Sequence, residues 1–545
     1  MGTVRTLGVA VLGLLAILVA APAPAAAEPG DLAALFGDAS CLSAELTACR
    51  PGRGLDGAES IALSPDGQHA YVASGGGGTL AVLQRDPVNG VLRQPAPPEG
   101  CLGGEGEAEG CQPAVGLEGA YGVALSPDGL NVYVAAFRSN AVTTFARDPA
   151  SGFLRQLGGI DGCVVEFDLE AGTPCSEGRG LVSVSSVVVS PDGRNVYAAS
   201  DRSDAVVAFA RDPASGGLRQ LPGLEGCISN SGTGGACTRG DGLDGAEGVT
   251  ISPDGRNVYV AASAGGAVAV FARDEATGAL RQLDGPAGCR VTAARHARCA
   301  LAPGLGGAWS ATVSPDGAVV HVASLASSSL ATFARDPATG ALAPLPPPYG
   351  CLRTPPVVFG PCAPMPRLGG VASVRVSATG DRLYAASFTD DLLQVFARDA
   401  GGGVAPRSNG CFSQRARPGC LRVPGLDGVS SVAVAADGRN VYAVSDVADA
   451  VVAFAREPYL PAPTLTYAPS AVARRGRAVR LAPDVVALRG VRFAVTPALP
   501  AGLRLDPATG ILAGRPRVGS PPVAYTVTAT DAVGTASATL VLSVR

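Results

Sequence analysis

The sequence contains no lysine, so all 42 basic residues among its 545 residues are arginines. A chain without lysine cannot hold nucleotide phosphates with a P-loop lysine or form a Schiff base on a lysine side chain. Histidine is nearly as scarce, with three residues, and we find neither a His-x-x-x-His metal pair nor a Gly-x-Ser-x-Gly nucleophile elbow. The net charge of −4 is small for this length. It gives no indication of nucleic-acid binding or of a basic membrane-binding face.

Long apolar runs are also missing, except at the start of the sequence. Residues 1–27 combine Arg5, the apolar run LGVAVLGLLAILVAA and the small-residue stretch AAAE, which is typical of a signal peptide and its cleavage site. The alternative is an uncleaved membrane anchor, although the run is short for a membrane span. We therefore expect an exported chain, secreted or periplasmic, with no stable membrane insertion after cleavage.

Cysteine, by contrast, is present in a strict pattern of seven close pairs. The first cysteines of successive pairs are 60 to 64 residues apart, which indicates a sevenfold repeat. An even, paired cysteine count in an exported chain predicts disulfides, and the spacing does not suit a metal site. We predict that each pair closes its own loop: Cys41–Cys49, Cys101–Cys111, Cys163–Cys175, Cys227–Cys237, Cys289–Cys299, Cys351–Cys362 and Cys411–Cys420.

Each repeat contains three apolar segments of five to seven residues and a shorter fourth one. The fourth unit shows them as GVTISPDG, NVYVAAS, AVAVFARD and ALRQL. Val, Tyr and Phe in short runs between Asp-Gly turns predict antiparallel strands, with Ser-Pro-Asp-Gly and Arg-Asp-Pro-x-x-Gly as the hairpin turns. Four strands repeated seven times predict a seven-bladed β-propeller of four-stranded blades, with a linear β-solenoid as the alternative.

The last repeat lacks its fourth strand, and the start of the chain supplies a matching segment. LAALFGDASC (32–41) aligns with LRQLPGLEGC (218–227), with a leucine nine residues before the cysteine in both. We predict that residues 32–36 complete the last blade beside residues 450–456. This clasp would remove the open sheet edges of a linear stack.

The repeat SPDGRNVYVAAS…AVAVFARDEATGALRQL resembles the lactonase-like β-propeller family, which includes 6-phosphogluconolactonase-like proteins and YVTN-type surface repeats. The resemblance covers about residues 30–458. It implies lactone hydrolysis or a related cyclisation at the channel mouth. In that family a histidine commonly stands five residues before the turn serine, but this slot contains no histidine here: it holds Glu59, Tyr121, Ser185, Glu247, Trp309, Ala372 and Ser430.

The C-terminal part differs in composition and follows a Pro-rich junction. Its motifs LPAGL (499–503), LDPATG (505–510) and YTVTATD (525–531) resemble a bacterial Ig-like domain of cadherin-like topology. We predict a signal peptide at 1–27, the propeller at 28–458 and an Ig-like β-sandwich at 459–545. Calcium at Asp531 is a weak expectation, because the acidic clusters that calcium requires are missing; no other cofactor is expected.

The position five residues before the turn serine, which we call the slot, is the candidate site. The residue after it is always Ser or Gly, whereas the slot itself varies and holds the single tryptophan. Aromatic rings and a few carboxyls suit a sugar or another polyol, so Glu59, Tyr121, Glu247 and Trp309 are predicted to bind it. Two functions remain open. One is a binding or scaffold protein for a carbohydrate or a protein surface; the other is an extracellular lactonase or other hydrolase using Glu59 or Glu247.

The loops closed by the seven cysteine pairs, which we call the stapled loops, are expected to surround this site. They are also expected to carry opposite charges on opposite sides. The acidic residues are Glu105, Glu107, Glu109, Glu166, Asp168 and Glu170, and the basic ones are Arg290, Arg295, Arg298, Arg415 and Arg417. Of the three histidines, His69, His296 and His321, only His296 is expected on that face. Ordinary solvated loop charge is the competing interpretation.

Overall fold

The computed structural model describes residues 31–35, 37–104, 110–166, 174–293, 298–355, 361–365, 367–457, 460–488 and 490–545. The described residues are almost entirely β-strands and turns. Their helices are short 3₁₀ turns: Gly37–Ser40, Gly159–Asp161, Gly223–Gly226, Thr233–Gly235 and Gly285–Ala287. None of the helices in these ranges is long and apolar enough to cross a membrane. The predicted signal peptide (1–27) lies outside the described ranges, as do residues 458 and 459 of the Pro-rich junction.

Seven sheets occupy the repeat region, and we number them 1 to 7 by the chain order of their inner strands. The inner strands are Ala58–Leu63, Ala120–Leu125, Val184–Val189, Ala246–Ile251, Ala308–Val313, Val371–Val376 and Val429–Val434. The second strands are His69–Ser74, Asn131–Ala136, Asn195–Ser200, Asn257–Ala262, Val319–Ser324, Arg382–Ser387 and Asn440–Ser445. The third strands are Thr79–Arg85, Ala141–Arg147, Ala205–Arg211, Ala267–Arg273, Ser329–Arg335, Leu392–Arg398 and Ala450–Arg456.

The Ser-Pro-Asp-Gly motif forms the turn between the inner and second strands, as predicted. In sheet 2, Asp128 Oδ1 accepts from Ser126 Oγ at 2.5 Å and from the Leu130 amide at 3.0 Å. Gly129 has a φ of 71°, which favours glycine. These aspartates therefore have a structural role in the turn.

The outer part of each sheet differs from the four-stranded repeat that the sequence predicts. Two segments share the third strand: in sheet 2, Leu154–Gln156 pairs with its last residues and Cys163–Glu166 with its first. Ser176–Gly178 then adds a parallel strand, so the sheets have five or six strands. The prediction of four-stranded blades was therefore wrong. The third strand is longer than the segment that follows it, so part of its edge is left open. The strand that begins at the cysteine, which we call the cysteine-led strand, pairs with that part of the edge.

The corresponding outer segments recur in every sheet. Those that pair with the last residues of the third strand are Leu92–Arg93, Leu154–Gln156, Leu218–Gln220, Leu280–Gln282, Leu342–Pro344 and Leu32–Ala34. The cysteine-led strands are Cys41–Ser43, Cys101–Gly103, Cys163–Glu166, Cys227–Ser229, Cys289–Val291 and Cys351–Arg353, and Val404–Ser413 serves both purposes in sheet 6. The parallel strands are Arg50–Pro51, Gln112–Pro113, Ser176–Gly178, Thr238–Arg239, Ala300–Leu301, Ala363–Pro364 and Leu421–Arg422.

All seven predicted disulfides are confirmed. Every pair joins cysteines 8 to 12 residues apart within its own repeat, and no free cysteine remains. In six sheets the bond ties the start of a strand to the segment that enters the next inner strand, and in sheet 6 Cys411 lies within Val404–Ser413. Seven such bonds indicate an oxidising environment, extracellular or periplasmic.

The inner strands pack on one another in chain order, and that of sheet 7 packs on that of sheet 1. Sheets arranged in this way form a β-propeller type of fold. The predicted clasp is confirmed for residues 32–34: Leu32, Ala33 and Ala34 pair with Arg456, Ala455 and Phe454 in sheet 7. Leu35 forms a bridge with Leu488 instead, and residue 36 lies outside the described ranges. Cys41–Ser43 pairs with the other end of the same strand. Strands from both ends of the repeat region thus complete one sheet.

Neighbouring sheets are joined by a buried arginine at the end of each third strand. In sheet 3, Arg211 Nε donates to Tyr133 OH (2.8 Å), and Nη2 donates to Asp128 Oδ2 (2.7 Å) and Asn131 Oδ1 (2.6 Å), all in sheet 2. We call this arrangement the arginine latch. Equivalent latches centre on Arg85, Arg147, Arg273 and Arg335, with His69 replacing the asparagine in the Arg147 latch.

Two of the seven boundaries lack a complete latch. Between sheets 6 and 7, Arg456 donates to Asp381 at 2.8 Å, but Arg456 Nε and Tyr384 OH have no hydrogen-bond partner among the described residues. The boundary between sheets 5 and 6 departs further. His321 and Val319 stand where the tyrosine and asparagine are found elsewhere. Arg398 Nη2 lies 3.6 Å from Asp316, and Arg398 Nε and His321 Nε2 have no hydrogen-bond partner among the described residues. His321 is fully buried, which lowers its pKa to about 3. It therefore has a structural position away from the candidate site.

The C-terminal residues form three small sheets. Thr464–Thr466 pairs with Asp484–Val486; Ser470–Ala473, Thr535–Val544, Ser520–Thr530 and Arg492–Thr496 form one sheet; Val479–Leu481, Leu512–Gly514 and Leu503–Leu505 form another. Buried Phe493, Leu512, Tyr525 and Leu540 belong to their core. Contact with the repeat region includes a bridge between Leu35 and Leu488 and an ion pair of 2.9 Å between Arg50 and Asp484.

Candidate functional site

Every inner strand carries a β-bulge at its second residue, which is the predicted slot. In sheet 1, Ala58 pairs with Ser74 and Ser60 with Ala73, so Glu59 has no partner on the second strand. The same register shift occurs at the slot of the other six sheets. A bulge breaks the alternation of side chains and redirects one of them. The bulge thus explains why large side chains are accepted at the slot, although the next residue is always Ser or Gly.

The seven slot residues line one cavity at the end of the inner strands. Its volume is about 100 Å³, and its wall includes Glu59, Tyr121, Glu247 and Trp309, together with the Ser or Gly after each slot. Ligand pockets typically have volumes of roughly 300–1,000 Å³. Only a small group therefore fits inside, and a larger ligand would remain partly at the mouth. The structure brings together all four residues predicted from the sequence.

Close approach between inner strands explains the Ser or Gly after the slot. A Cβ on Gly248 would lie 2.5 Å from the carbonyl oxygen of Trp309 and 3.1 Å from Ser310 Cα. A Cβ on Gly122 would lie 2.8 Å from the carbonyl oxygen of Ser185. These contacts are with backbone atoms, so a larger side chain would separate neighbouring strands.

We expect Gly248→Ala to lower the free energy of unfolding by about 1–3 kcal/mol, the usual range for overpacking. Because the new methyl group would press on Trp309, its fluorescence emission should also change. Denaturant unfolding and the emission spectrum test this. Gly158→Ala is the control, since a Cβ added to this glycine would meet nothing within 4 Å. Equal stability of the two variants would contradict this interpretation of the small residues.

Two of the slot serines that line the cavity also bind backbone across sheet boundaries. Ser185 Oγ donates to the carbonyl of Glu247 at 2.9 Å, and Ser430 Oγ donates to that of Ala58 at 2.8 Å. The second bond joins sheet 7 to sheet 1. These serines therefore position the bulges that carry Glu247 and Glu59.

The two carboxyl groups of the cavity resist ionisation. Burial, followed by the charges of Asp446 and Glu247, raises the pKa of Glu59 to about 8. Burial, followed by the charge of Asp201, raises the pKa of Glu247 to about 8. Both carboxyl groups are therefore mostly protonated at pH 7, and each can then donate as well as accept a hydrogen bond.

The aromatic residues occupy separate positions on the wall. Tyr121 packs against Phe137, with ring centroids 5.9 Å apart, and burial raises the pKa of Tyr121. Its hydroxyl remains protonated at physiological pH. Trp309 is partly exposed and lines the cavity from sheet 5. The cavity thus combines apolar ring faces with hydroxyl and carboxyl groups.

One charged residue of the cavity was missed in the sequence. Arg375 lies three residues after the slot of sheet 6, in the ring of inner strands. The other sheets carry Ala62, Ala124, Val188, Thr250, Thr312 and Ala433 at this position. Because the arginine occurs in only one repeat, the repeat pattern gave no signal for it; a charge within an otherwise uncharged inner strand was the available clue.

The predicted charge asymmetry of the stapled loops is only partly described. Glu105, Glu107, Glu109, Asp168, Glu170, Arg295 and His296 lie outside the described ranges. Three of the described arginines pair with nearby aspartates: Arg415 with Asp391 at 2.6 Å, Arg417 with Asp390 at 3.2 Å and Arg298 with Asp241 at 3.6 Å. Glu166 accepts from the Leu181 amide. These four charged side chains thus interact with groups of the protein itself.

Metal ligands do not cluster in the described ranges: these contain no group of three or more His, Cys, Asp or Glu side chains suited to a metal ion. Asp531, the residue considered for calcium, accepts from the amides of Leu488, Val533 and Gly534. Its carboxylate fixes a turn of the C-terminal domain, and the calcium expectation stays a prediction.

Comparison with protein-family models matches residues 462–545 to the family described as "Putative Ig domain". The C-terminal part is thus Ig-like, as the sequence motifs indicated. The search among curated proteins found no match.

Similar solved structures include several β-propellers. The periplasmic gluconolactonase PpgL of Pseudomonas aeruginosa is 22% identical, with a TM-score of 0.42 over 64% of this chain and 84% of that one. The β-propeller domain of Cps50 (Swd1) from Myceliophteria thermophila is 12% identical, with a TM-score of 0.44 over 73% and 97%. A Lactobacillus plantarum protein is 18% identical, with a TM-score of 0.45 over 75% and 92%.

Proposed function

We propose that this chain is an exported binding protein that holds a carbohydrate or another polyol at the cavity of the inner strands. In this proposal residues 1–27 direct export, residues 28–458 form a closed seven-bladed propeller, and residues 459–545 form an Ig-like spacer or second contact. A protein-surface ligand at the same face is the other form of this proposal. The seven sheets and the packing of sheet 7 on sheet 1 support the blade count.

The observation that carries the binding proposal is the convergence of seven bulged slots on one polar cavity. Trp309 supplies a face on which the CH groups of a sugar ring can stack. Tyr121, Glu59 and Glu247 supply hydroxyl and carboxyl groups for the sugar hydroxyls. The small volume indicates that one end of the ligand enters while the rest remains at the mouth.

Trp309 is the only tryptophan, so its fluorescence reports on this site alone. We expect a carbohydrate panel to reveal a ligand that changes the emission, and Trp309→Ala to weaken its binding at least tenfold by calorimetry. Tyr121→Phe, which keeps the ring and removes the hydroxyl, should have a smaller effect. A folded Trp309→Ala protein that binds the ligand as well as the parent would rule out this site.

A second function, hydrolysis of a lactone or related ester, is favoured by the carboxyl groups. Burial keeps Glu59 and Glu247 mostly protonated near pH 7, and a protonated carboxyl in a polar cavity can act as a general acid. Lactone turnover that is lost in Glu59→Gln or Glu247→Gln would establish this function. Binding without turnover, with both variants still binding, would favour the binding protein.

A further inference from the structure

Arg375 is the only cationic residue among those that line the cavity, and it has no carboxylate partner in the described ranges. Its Nη1 donates to the carbonyl of Val374 at 3.0 Å. Burial lowers the pKa of its guanidinium, which reflects the loss of hydration. The side chain is half-buried in the cavity wall. A partly desolvated charge without a counter-charge is costly, and a ligand anion would offset that cost.

The surroundings of Arg375 do not supply that anion. The inner strands on either side, Ala308–Val313 and Val429–Val434, carry no titratable side chain. The second strand behind it carries Arg382, which pairs with Asp381, and Tyr384. The cavity wall also carries Tyr121, Glu59 and Glu247, and Asp446 and Asp201 lie close enough to raise the pKa of Glu59 and Glu247, respectively.

We propose that the cavity takes a ligand with a carboxylate group, which enters first and pairs with Arg375 while the hydroxyl-bearing remainder stays at the mouth. A cavity of about 100 Å³ suits a carboxylate with one or two carbons. A guanidinium binds a carboxylate through two parallel N–H···O bonds, which gives both strength and orientation. This inference rests on the proposed carbohydrate site and specifies its ligand as an acidic sugar.

The protonated carboxyl groups make this binding dependent on pH. Around pH 7, Glu59 and Glu247 are mostly neutral and can donate hydrogen bonds to an anion. Both pKa values are about 8, so above that pH two negative charges develop on the wall and oppose the ligand's carboxylate. Affinity should therefore be high at neutral pH and fall as the pH rises through 8.

The test is calorimetric titration of the full chain with D-glucuronate, D-glucose and acetate in a carboxylate-free buffer. We expect glucuronate to bind at least tenfold more tightly than glucose at pH 7, and at least tenfold more weakly at pH 9. Arg375→Ala installs the residue that sheets 1, 2 and 7 carry at this position, so the fold should tolerate it. It should reduce glucuronate binding to the level of glucose.

Arg202→Gln is the matched control, because it removes one positive charge from an exposed position close to Asp201. We expect it to change glucuronate affinity less than twofold. Equal binding of glucose and glucuronate would overturn the anion inference and leave the carbohydrate proposal standing. Binding of acetate through Arg375 without binding of either sugar would keep the anion site and reject the carbohydrate. Absence of glucuronate and acetate binding would overturn the inference outright.

Discussion

Replacing Arg85 by leucine should lower the free energy of unfolding by about 3 kcal/mol, within the range for breaking one partner out of a buried ion pair. Arg85 forms the latch between sheets 1 and 7, where its side chain is only 1% exposed. It donates to Tyr442 OH at 2.8 Å, Asp437 Oδ2 at 2.8 Å and Asn440 Oδ1 at 2.7 Å. Asp437 can be partly solvated when the arginine is lost, which places the expected effect at the lower end.

The chain provides its own control at the boundary between sheets 5 and 6. Arg398 occupies the same repeat position but lacks the tyrosine and asparagine acceptors, and its Nε has no partner in the described ranges. We expect Arg398→Leu to cost less than about 1 kcal/mol, because an apolar side chain often replaces a poorly paired buried charge without loss. Unfolding of both variants in guanidinium chloride measures the difference in the free energy of unfolding, provided that the m-values are unchanged. If both variants lost the same free energy of unfolding, the tyrosine and asparagine acceptors of the latch would contribute little to stability.

The parts of the fold that recur in every repeat could be predicted from the sequence. Three strands, two turns and the disulfide pairing follow from local patterns that occur several times, which makes chance agreement improbable. The cysteine-led strand was missed because CVVE, CIS and CRV are only three or four residues long and show no alternation. The latch was missed because Arg-Asp-Pro-x-x-Gly was interpreted only as a turn. The arginine that precedes the aspartate in sheets 1 to 6 was the overlooked signal.

The candidate site shows the same division between repeated and single features. Alignment of the repeats located Glu59, Tyr121, Glu247 and Trp309, and the structure places them in one cavity. The reason for their shared position, a bulge in every inner strand, depends on the pairing register, which the sequence does not reveal. Arg375 occurs once, so only the three-dimensional structure assigns it to the cavity.

Deleting residues 28–40 should destabilise the last sheet of the repeat region as well as the first. The deletion removes the strand Leu32–Ala34, whose partners are residues 454–456, and the ion pair of 3.2 Å between Asp31 and Arg407. It also removes Leu35, which is fully buried. The lost burial of the Leu32 and Leu35 side chains alone should lower the free energy of unfolding by about 3–6 kcal/mol.

Hydrogen exchange measures this effect residue by residue. Without the clasp, the third strand of sheet 7, Ala450–Arg456, gains an open edge along residues 454–456, so its amides should exchange faster. The third strand of sheet 4, Ala267–Arg273, keeps all its partners and serves as the internal control. Leu35→Ala should show a weaker form of the same change, because it leaves the three paired residues in place. Unchanged exchange at residues 450–456 after the deletion would mean that the clasp does not stabilise sheet 7, because the edge amides would then be protected without their partner strand.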